Sequence, residues 1–400
     1  MTAPRNGAGD SAPRNGARDS APRNGARDSA PRNGAPESAP RRIAGSPYME
    51  WSKLRSPARF NLATSGLSNF PLSGLPVRIE DLEINGPTIY GYAPLQERLA
   101  ARTGAPADSI VAAAGTSMAN HLALAALVAP GDDVLVEHPT YELLLSTAAY
   151  LGASIRRFPR RAREGFRLDP AEVERAIGPN TRLVVVTNFH NPSSVRADDA
   201  ALAEIGAIAA RAGARVLVDE VYLECLERPR SAFFLGDNFV TTASLTKAYG
   251  LSGLRCGWVI APPDLARRMW RINDLYGATP AHPAELLSVV ALDNLDSVAA
   301  RTRAQLARNR ALLERFLDSR DDLDVVRTEG GTTSFPRLPS GRVEDFCRLL
   351  REKYDTSVVP GSYFEMPEHF RIGIGGETEM VSEGLERLGL ALDALSTSGP

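Results

Sequence analysis

Only three of the 46 basic residues in this chain are lysines: Lys53, Lys247 and Lys353. Arginine fills every other fixed cationic position, and arginine cannot shed its proton and attack a carbonyl as a free amine. Lys247 is the lysine whose neighbours suit that chemistry. It stands in Ser244-Leu-Thr-Lys247-Ala-Tyr-Gly-Leu-Ser-Gly-Leu-Arg255-Cys-Gly-Trp258, between an apolar run and a glycine-punctuated turn where a lysine has no packing role. An amine partly withdrawn from water has a lowered pKa and is a nucleophile nearer neutral pH. Arg255, eight residues on, can return to the same anion as Ser244.

Two further clusters have chemical content. Asp219 ends the apolar run Arg215-Val-Leu-Val-Asp219. A carboxylate closing a buried strand needs a partner, because burying it alone is costly. A protonated heteroaromatic nitrogen would serve, and so would a structural arginine. Tyr222, three residues on, and Asn191, at the end of a neighbouring run, are placed to hydrogen-bond a phenolate oxygen. Ala114-Gly115-Thr116-Ser117 opens an Ala/Leu-rich stretch that reaches Ala129 and stops at Pro130-Gly131. The free amides of a helix start, with a glycine and two hydroxyls, can hold a phosphate. The same residues also make an ordinary N-cap.

These side chains need a scaffold that brings strand ends together. Asp133 to Glu137, Arg182 to Thr187, Ala214 to Val218 and Phe239 to Ala243 read as buried strands. Pro170 to Ile177 and Asp198 to Ala212 read as the helices between them. The alternation predicts an α/β fold with a mostly parallel sheet, and each polar cluster follows the carboxyl end of a strand, the edge where such sheets bind ligands. After about residue 285 the chain turns to Arg/Leu helices (Ala299 to Leu317) and short strands at Thr332 to Phe335, Ser357 to Val359 and Phe370 to Ile374. A last helix starts near Met380. This predicts a smaller α+β domain.

The organisation expected is a low-complexity tail over residues 1–44, an arm over 45–80, a large domain over 81–285 and a small one over 286–396. The tail repeats Ala-Pro-Arg-Asn-Gly-Ala every nine residues, and the repeat unit has no large apolar residue, so its copies have nothing to bury and it is expected to be disordered. It carries eight arginines against four acids. Over the whole chain 46 basic residues meet 48 acidic ones, a balance that argues against a nucleic-acid binder. Cys225, Cys256 and Cys347 are scattered, which argues against a disulfide framework or a cysteine-rich metal site. No apolar run is long enough to span a membrane and no leader is evident, so a cytoplasmic protein is expected.

Together the motifs resemble the class I/II pyridoxal-phosphate-dependent aminotransferases, the fold type of aspartate aminotransferase. The likeness runs from about Phe60 to Leu392 and is carried by Ser-x-x-Lys-x-x-Gly-Leu-x-Gly-Leu-Arg-x-Gly-Trp, preceded in order by Gly-Thr-Ser, Asn-Pro and Asp-x-x-Tyr. The resemblance implies that pyridoxal 5'-phosphate is held as an imine by Lys247. It implies that Asp219 keeps the ring nitrogen protonated, that Tyr222 and Asn191 bind the phenolic oxygen, and that Tyr141 stacks on the ring. Gly115, Thr116, Ser117, Ser244 and Arg255 would cup the phosphate, and Arg371, in Phe-Arg-Ile-Gly-Ile-Gly, would clamp the substrate carboxylate. A homodimer with shared sites is implied, with Tyr90 or Tyr92 reaching across.

The implied activity is transamination between an L-amino acid and a 2-oxo acid. The same residues also support a lyase, a decarboxylase, or a replacement or cyclisation enzyme. A DNA-binding regulator built on this scaffold would need an N-terminal helix-turn-helix, and a Pro/Gly repeat stands there instead. The usual Asn-Pro-Thr-Gly appears as Asn191-Pro-Ser-Ser194, so the tight glycine turn is expected to be lost. Gly66, Tyr90, Tyr92 and Tyr276 are candidates for the substrate pocket.

Overall fold

Seven strands form the central sheet of the computed structural model, which describes residues 45–227 and 229–397. They are β1 (Ile110–Ala114), β2 (Asp133–His138), β3 (Ser154–Pro159), β4 (Thr181–Thr187), β5 (Arg215–Asp219), β6 (Phe239–Ser244) and β7 (Cys256–Ile260). The spatial order is β1-β7-β6-β5-β4-β2-β3. Strands β6, β5, β4, β2 and β3 run parallel, while β7 is antiparallel to both its neighbours. The fold is α/β, as the sequence predicts; β3 and β7 are strands that the apolar pattern did not single out. The repeat of residues 1–44 lies outside the described residues.

The apolar runs are continuous because both faces are covered. Val134, Val136, Leu183, Val185 and Leu217 face one core, with the helices Gly115–Leu127 and Pro263–Asn273. Leu135, Val184, Val186, Val216 and Val218 face the other, with the helix Asp199–Arg211. Odd and even positions of one strand thus serve different layers.

After the helix His282–Asp293, the helices Leu295–Asp318, Val343–Tyr354 and Thr378–Thr397 pack with a three-stranded antiparallel sheet ordered Val359–Pro360, Phe370–Gly373, Thr333–Ser334. Phe370 and Ile372 enter the core of this part with Phe346 and Leu350. Strand alternation sends Arg371, between them, to the opposite face. A short parallel pair, Phe60–Asn61 with Thr356–Ser357, ties the segment before the central sheet to the same region.

Candidate active site

The carboxyl ends of β4, β5 and β6 are adjacent, so Asn191, Asp219 and Lys247 follow three neighbouring strands. Thr187 sits beside Asp219, and Asp219 beside Thr242, in the sheet register. The antiparallel β7 does the rest. Its amino end lies at the edge where β1 and β6 have their carboxyl ends, since Gly257 pairs with Ala113 on one side and Ser244 on the other. Arg255, just before β7, therefore lies against Gly115. A Cβ on Gly257 would stand 2.5 Å from the Gly115 carbonyl carbon, so the two chains approach this closely only with glycine there.

A cavity of about 370 Å³ opens at this edge, lined among others by Lys247, Asp219, Tyr222, Asn191 and Arg371. The Asp219 carboxylate is buried, accepting from Asn120 Nδ2 at 2.8 Å and from the Val221 amide at 3.1 Å. Desolvation outweighs these bonds and raises its pKa to about 6. Asn120 is held in turn by Thr242 Oγ1 at 2.6 Å. Opposite, burial lowers the Lys247 amine to about 8, assisted by the charges of Arg371 and Arg255. Lys247 Nζ donates to Ser65 Oγ at 3.5 Å, and Tyr222 Oη donates to the same oxygen at 2.7 Å. Burial lifts the Tyr222 phenol to about 12, so it stays protonated as a donor.

One end of the cavity gathers hydroxyls and a guanidinium. Thr116 Oγ1 donates to Ser244 Oγ at 2.7 Å, and Ser244 and Thr246 hydroxyls lie 2.7 Å apart. Arg255, at φ 50°, turns its guanidinium back to donate to the Ala114 carbonyl at 3.0 Å. Gly115 has φ 76°, and a Cβ there would stand 2.3 Å from Arg255 Nη2. The glycine is thus required twice, for the dihedral and for the space. Thr116, Ser117, Thr246, Ser252 and Arg255 line the cavity here.

At the other end Arg371 is fully buried. Its Nη1 donates to Asn191 Oδ1 at 2.8 Å, and its Nη2 donates to Tyr48 Oη and to the Ala63 carbonyl, both at 3.0 Å. Its Nε has no hydrogen-bond partner among the described residues. Gly66 lies against the lysine; a Cβ on it would meet Lys247 Cδ at 3.3 Å. Tyr141 lines the cavity edge-on to Tyr48, ring centroids 5.6 Å apart.

The structure does not bring every candidate to this cavity. Tyr90 is exposed and donates to Asp274 Oδ2 at 2.7 Å. Tyr92 packs edge-on to His282 at 4.9 Å, and Tyr276 edge-on to His121 at 4.8 Å. None of the three tyrosines lines the cavity of its own chain. Among the contributors that escaped the sequence reading are Tyr48, Ser65, Asn120, Thr246 and Ser252. Asn120 had a detectable signal, since it lies on the helix opened by Gly115; Tyr48 and Ser65 arrive only through long-range packing.

The expected loss of the turn after Asn191 is corrected. Ser194 takes the left-handed conformation itself, at φ 62°. Its hydroxyl lies 2.8 Å from Thr333 Oγ1 and accepts from the Thr333 amide at 3.1 Å. Opposite it stands Gly331, where a Cβ would be 2.4 Å from the Ser194 Cβ.

This is an α/β enzyme scaffold with a desolvated amine, a buried carboxyl and the separated guanidiniums of Arg255 and Arg371 on one cavity. The chain belongs to the family described as aminotransferase class I and II, whose pattern matches residues 83–388. It is 30% identical to capreomycidine synthase of Streptomyces vinaceus over 363 residues, 86% of this chain and 92% of that one. Its fold is similar to that of a PLP-dependent aminotransferase from Streptococcus suis, at TM-score 0.83 and 27% identity, covering 89% of this chain and 99% of that one. It is also similar to the PLP-dependent cyclase OrfR, at TM-score 0.78 and 26% identity, covering 90% and 99%.

Pyridoxal 5'-phosphate is the cofactor of this enzyme class. The residues present fit it in charge and in space. A hydroxyl-and-guanidinium cradle, with room kept by Gly115, suits a phosphate; Asp219, raised by burial, suits a cationic ring nitrogen; and the depressed amine of Lys247 suits an aldehyde.

Proposed function

We propose that this protein is an aminotransferase that moves an amino group from an L-amino acid to a 2-oxo acid. The observation that carries the reading is that Lys247 Nζ faces a single cavity shared by Asp219 and the buried Arg371. Lys247 would hold the cofactor, Asp219 its ring nitrogen, and Tyr222 with Asn191 its phenolic oxygen. Gly115, Thr116, Ser117, Ser244 and Arg255 would hold its phosphate, with Tyr141 against its face. When bound, pyridoxal phosphate supplies a ring that accepts the electron pair of a bond broken at the substrate α-carbon.

The protein's own groups do the rest. Arg371 pairs with the substrate carboxylate through a guanidinium already anchored by Asn191 and Tyr48. Lys247 Nζ, lowered to about 8 by burial and so about half neutral near pH 8, is the base for the substrate α-proton. Tyr222 and Ser65 keep that amine oriented by hydrogen bonding. A homodimer belongs to this reading. Ile79, Ile84, Ile89, Tyr90 and Leu275 are each large apolar side chains left exposed, which a second copy packing there would cover. Tyr90 or Tyr92 would then reach the partner's cavity rather than its own.

A second reading is cyclisation of a modified amino acid. It is supported by the likeness to capreomycidine synthase and to the cyclase OrfR, each matched over more than nine-tenths of its length. One experiment separates the two. The protein loaded with pyridoxal phosphate is mixed with single amino acids, and absorbance and products are followed. Transamination predicts a 2-oxo acid and conversion of the cofactor to its amine form until a second oxo acid is added. Cyclisation predicts a product that keeps its amino group while the cofactor returns unchanged. No cofactor absorbance under any loading condition would overturn both readings.

A further inference from the structure

Lys247 and Tyr222 sit on separate loops, and each has a buried partner two residues on. Tyr249 follows the short helix Leu245–Ala248 that bears Lys247, and Glu224 lies in the turn Leu223–Cys225 after Tyr222. Tyr249 Oη donates to Glu224 Oε2 at 2.7 Å. Arg102, from the helix Ala93–Thr103, donates through Nη2 to Glu224 Oε2 at 2.9 Å and to Tyr249 Oη at 2.8 Å. Tyr249 is 1% exposed, and burial with the nearby Glu224 charge keeps its phenol protonated.

The two loops are therefore linked twice. At their reactive tips Tyr222 and Lys247 both donate to Ser65 Oγ. Two residues on, Tyr249 donates to Glu224. Bonded backbone and hydrogen bonds close one circuit through Ser65, Tyr222, Glu224, Tyr249 and Lys247. Rotating either loop breaks one of the two cross-links. Arg102 supplies the cation that makes a buried Glu224 tolerable, since an unpaired buried carboxylate is costly. None of the three residues lines the cavity, so they act on the chemistry only through the groups they hold.

We propose that Glu224 and Tyr249, braced by Arg102, are positioning residues that hold Lys247 Nζ in place against Tyr222; this rests on the reading of Lys247 as the reacting amine. Misplacing a reacting group by about 1 Å costs on the order of 100-fold in rate, so a short circuit of this kind has leverage on turnover.

The test uses the full-length protein loaded with pyridoxal phosphate. Wild type, Tyr249→Phe, Glu224→Ala and Glu224→Gln are compared by the pH midpoint of the long-wavelength cofactor absorbance without substrate, by kcat and KM, and by Tm. Tyr249→Phe and Glu224→Ala are expected to move the midpoint by about half a unit or more and to lower kcat roughly 10-fold, with KM within about 3-fold. Glu224→Gln keeps an acceptor for Tyr249 and should recover much of the loss. Should Glu224→Ala not fold, Tyr249→Phe, which keeps its ring, carries the test. Variants that titrate and turn over like wild type, with only Tm lowered, would overturn the proposal. Absence of the cofactor band in wild type would instead remove the reading of Lys247 on which it rests.

Discussion

Asn191 Oδ1 accepts a 2.8 Å hydrogen bond from Arg371 Nη1, joining the loop after β4 to the C-terminal three-stranded sheet. Arg371 is held on its other nitrogen by Tyr48 and the Ala63 carbonyl, so its guanidinium is fixed by three separate parts of the chain. Under the proposed reading, a cation buried in this way would be prepared for a carboxylate before the carboxylate arrives.

Arg371→Gln should therefore act on binding more than on the chemical step. Loss of a charged, anchored donor is worth about 2–3 kcal/mol, or roughly 30- to 150-fold in kcat/KM, mostly through KM. Steady-state kinetics on the amino acid identified by the panel checks this. An unchanged KM would show that the carboxylate binds elsewhere.

Asp219 gives a pH signature without any substrate. Its folded-state pKa of about 6 lies above the ordinary 3.8, because burial disfavours the charged form. The stability it contributes is present in full below about 3.8 and is lost as pH rises through about 6. The rise of about 2 units corresponds to ~3 kcal/mol. Asp219→Asn should thus make the cofactor-free protein more stable than wild type at pH 7 to 8, with the difference shrinking towards pH 4. Denaturant unfolding across that range reads the effect. The same variant should lose at least about 100-fold in turnover, near 3 kcal/mol of barrier, because no carboxylate then balances a cationic ring nitrogen.

Gly115→Ala addresses the anion end. The added Cβ would lie 2.3 Å from Arg255 Nη2 and would sit on a backbone at φ 76°. Either Arg255 moves or the helix start does, and both spoil the cradle. The dissociation constant for pyridoxal phosphate should rise by about 10- to 100-fold, the equivalent of ~1.4–3 kcal/mol. Fluorescence or absorbance titration of the cofactor measures it; unaltered affinity would place the phosphate elsewhere.

Gly331→Ala probes the contact that replaces the expected glycine turn. Its Cβ would overlap the Ser194 Cβ at 2.4 Å, at a position with φ 80°. Strain and overpacking together should cost about 2–4 kcal/mol of stability. Because Ser194 is bonded to Thr333, and Thr333 pairs with Gly373 two residues from Arg371, KM should rise as well. Thermal unfolding alongside kinetics separates the two effects.

Much of this site was legible from local patterns. A rare lysine in a glycine-rich turn, a carboxylate at the end of an apolar strand and a Gly-Thr-Ser opening a helix are each confined to a few neighbouring residues. The parallel strands β2, β4, β5 and β6 were legible for the same reason, since a doubly covered strand is a continuous apolar run, whereas β3, with Arg156 and Arg157 in a half-exposed edge, was not. Strand β7 was harder, because Cys256-Gly-Trp-Val-Ile260 carries a glycine that reads as part of the turn before it. That glycine is there because the backbone of Gly115 passes 2.5 Å from where its Cβ would be.

By itself the sequence determined which groups have chemical potential and which strands carry them to one sheet edge. Tertiary structure alone decided what those groups do to one another. Asp219 has a raised pKa because the fold removes it from water, and Lys247 a lowered one because the same burial, helped by two nearby arginines, disfavours its charge. Tyr48 and Ser65 reach the cavity from an arm far away in sequence, as does Glu224 to Tyr249 across the two loops. Tyr90 and Tyr92 do not line their own chain's cavity, and contact Asp274 and His282 instead. Spacing along a chain constrains neighbours within a turn or a strand; desolvation, charge coupling and the closing of long loops depend on which distant segments fold against them.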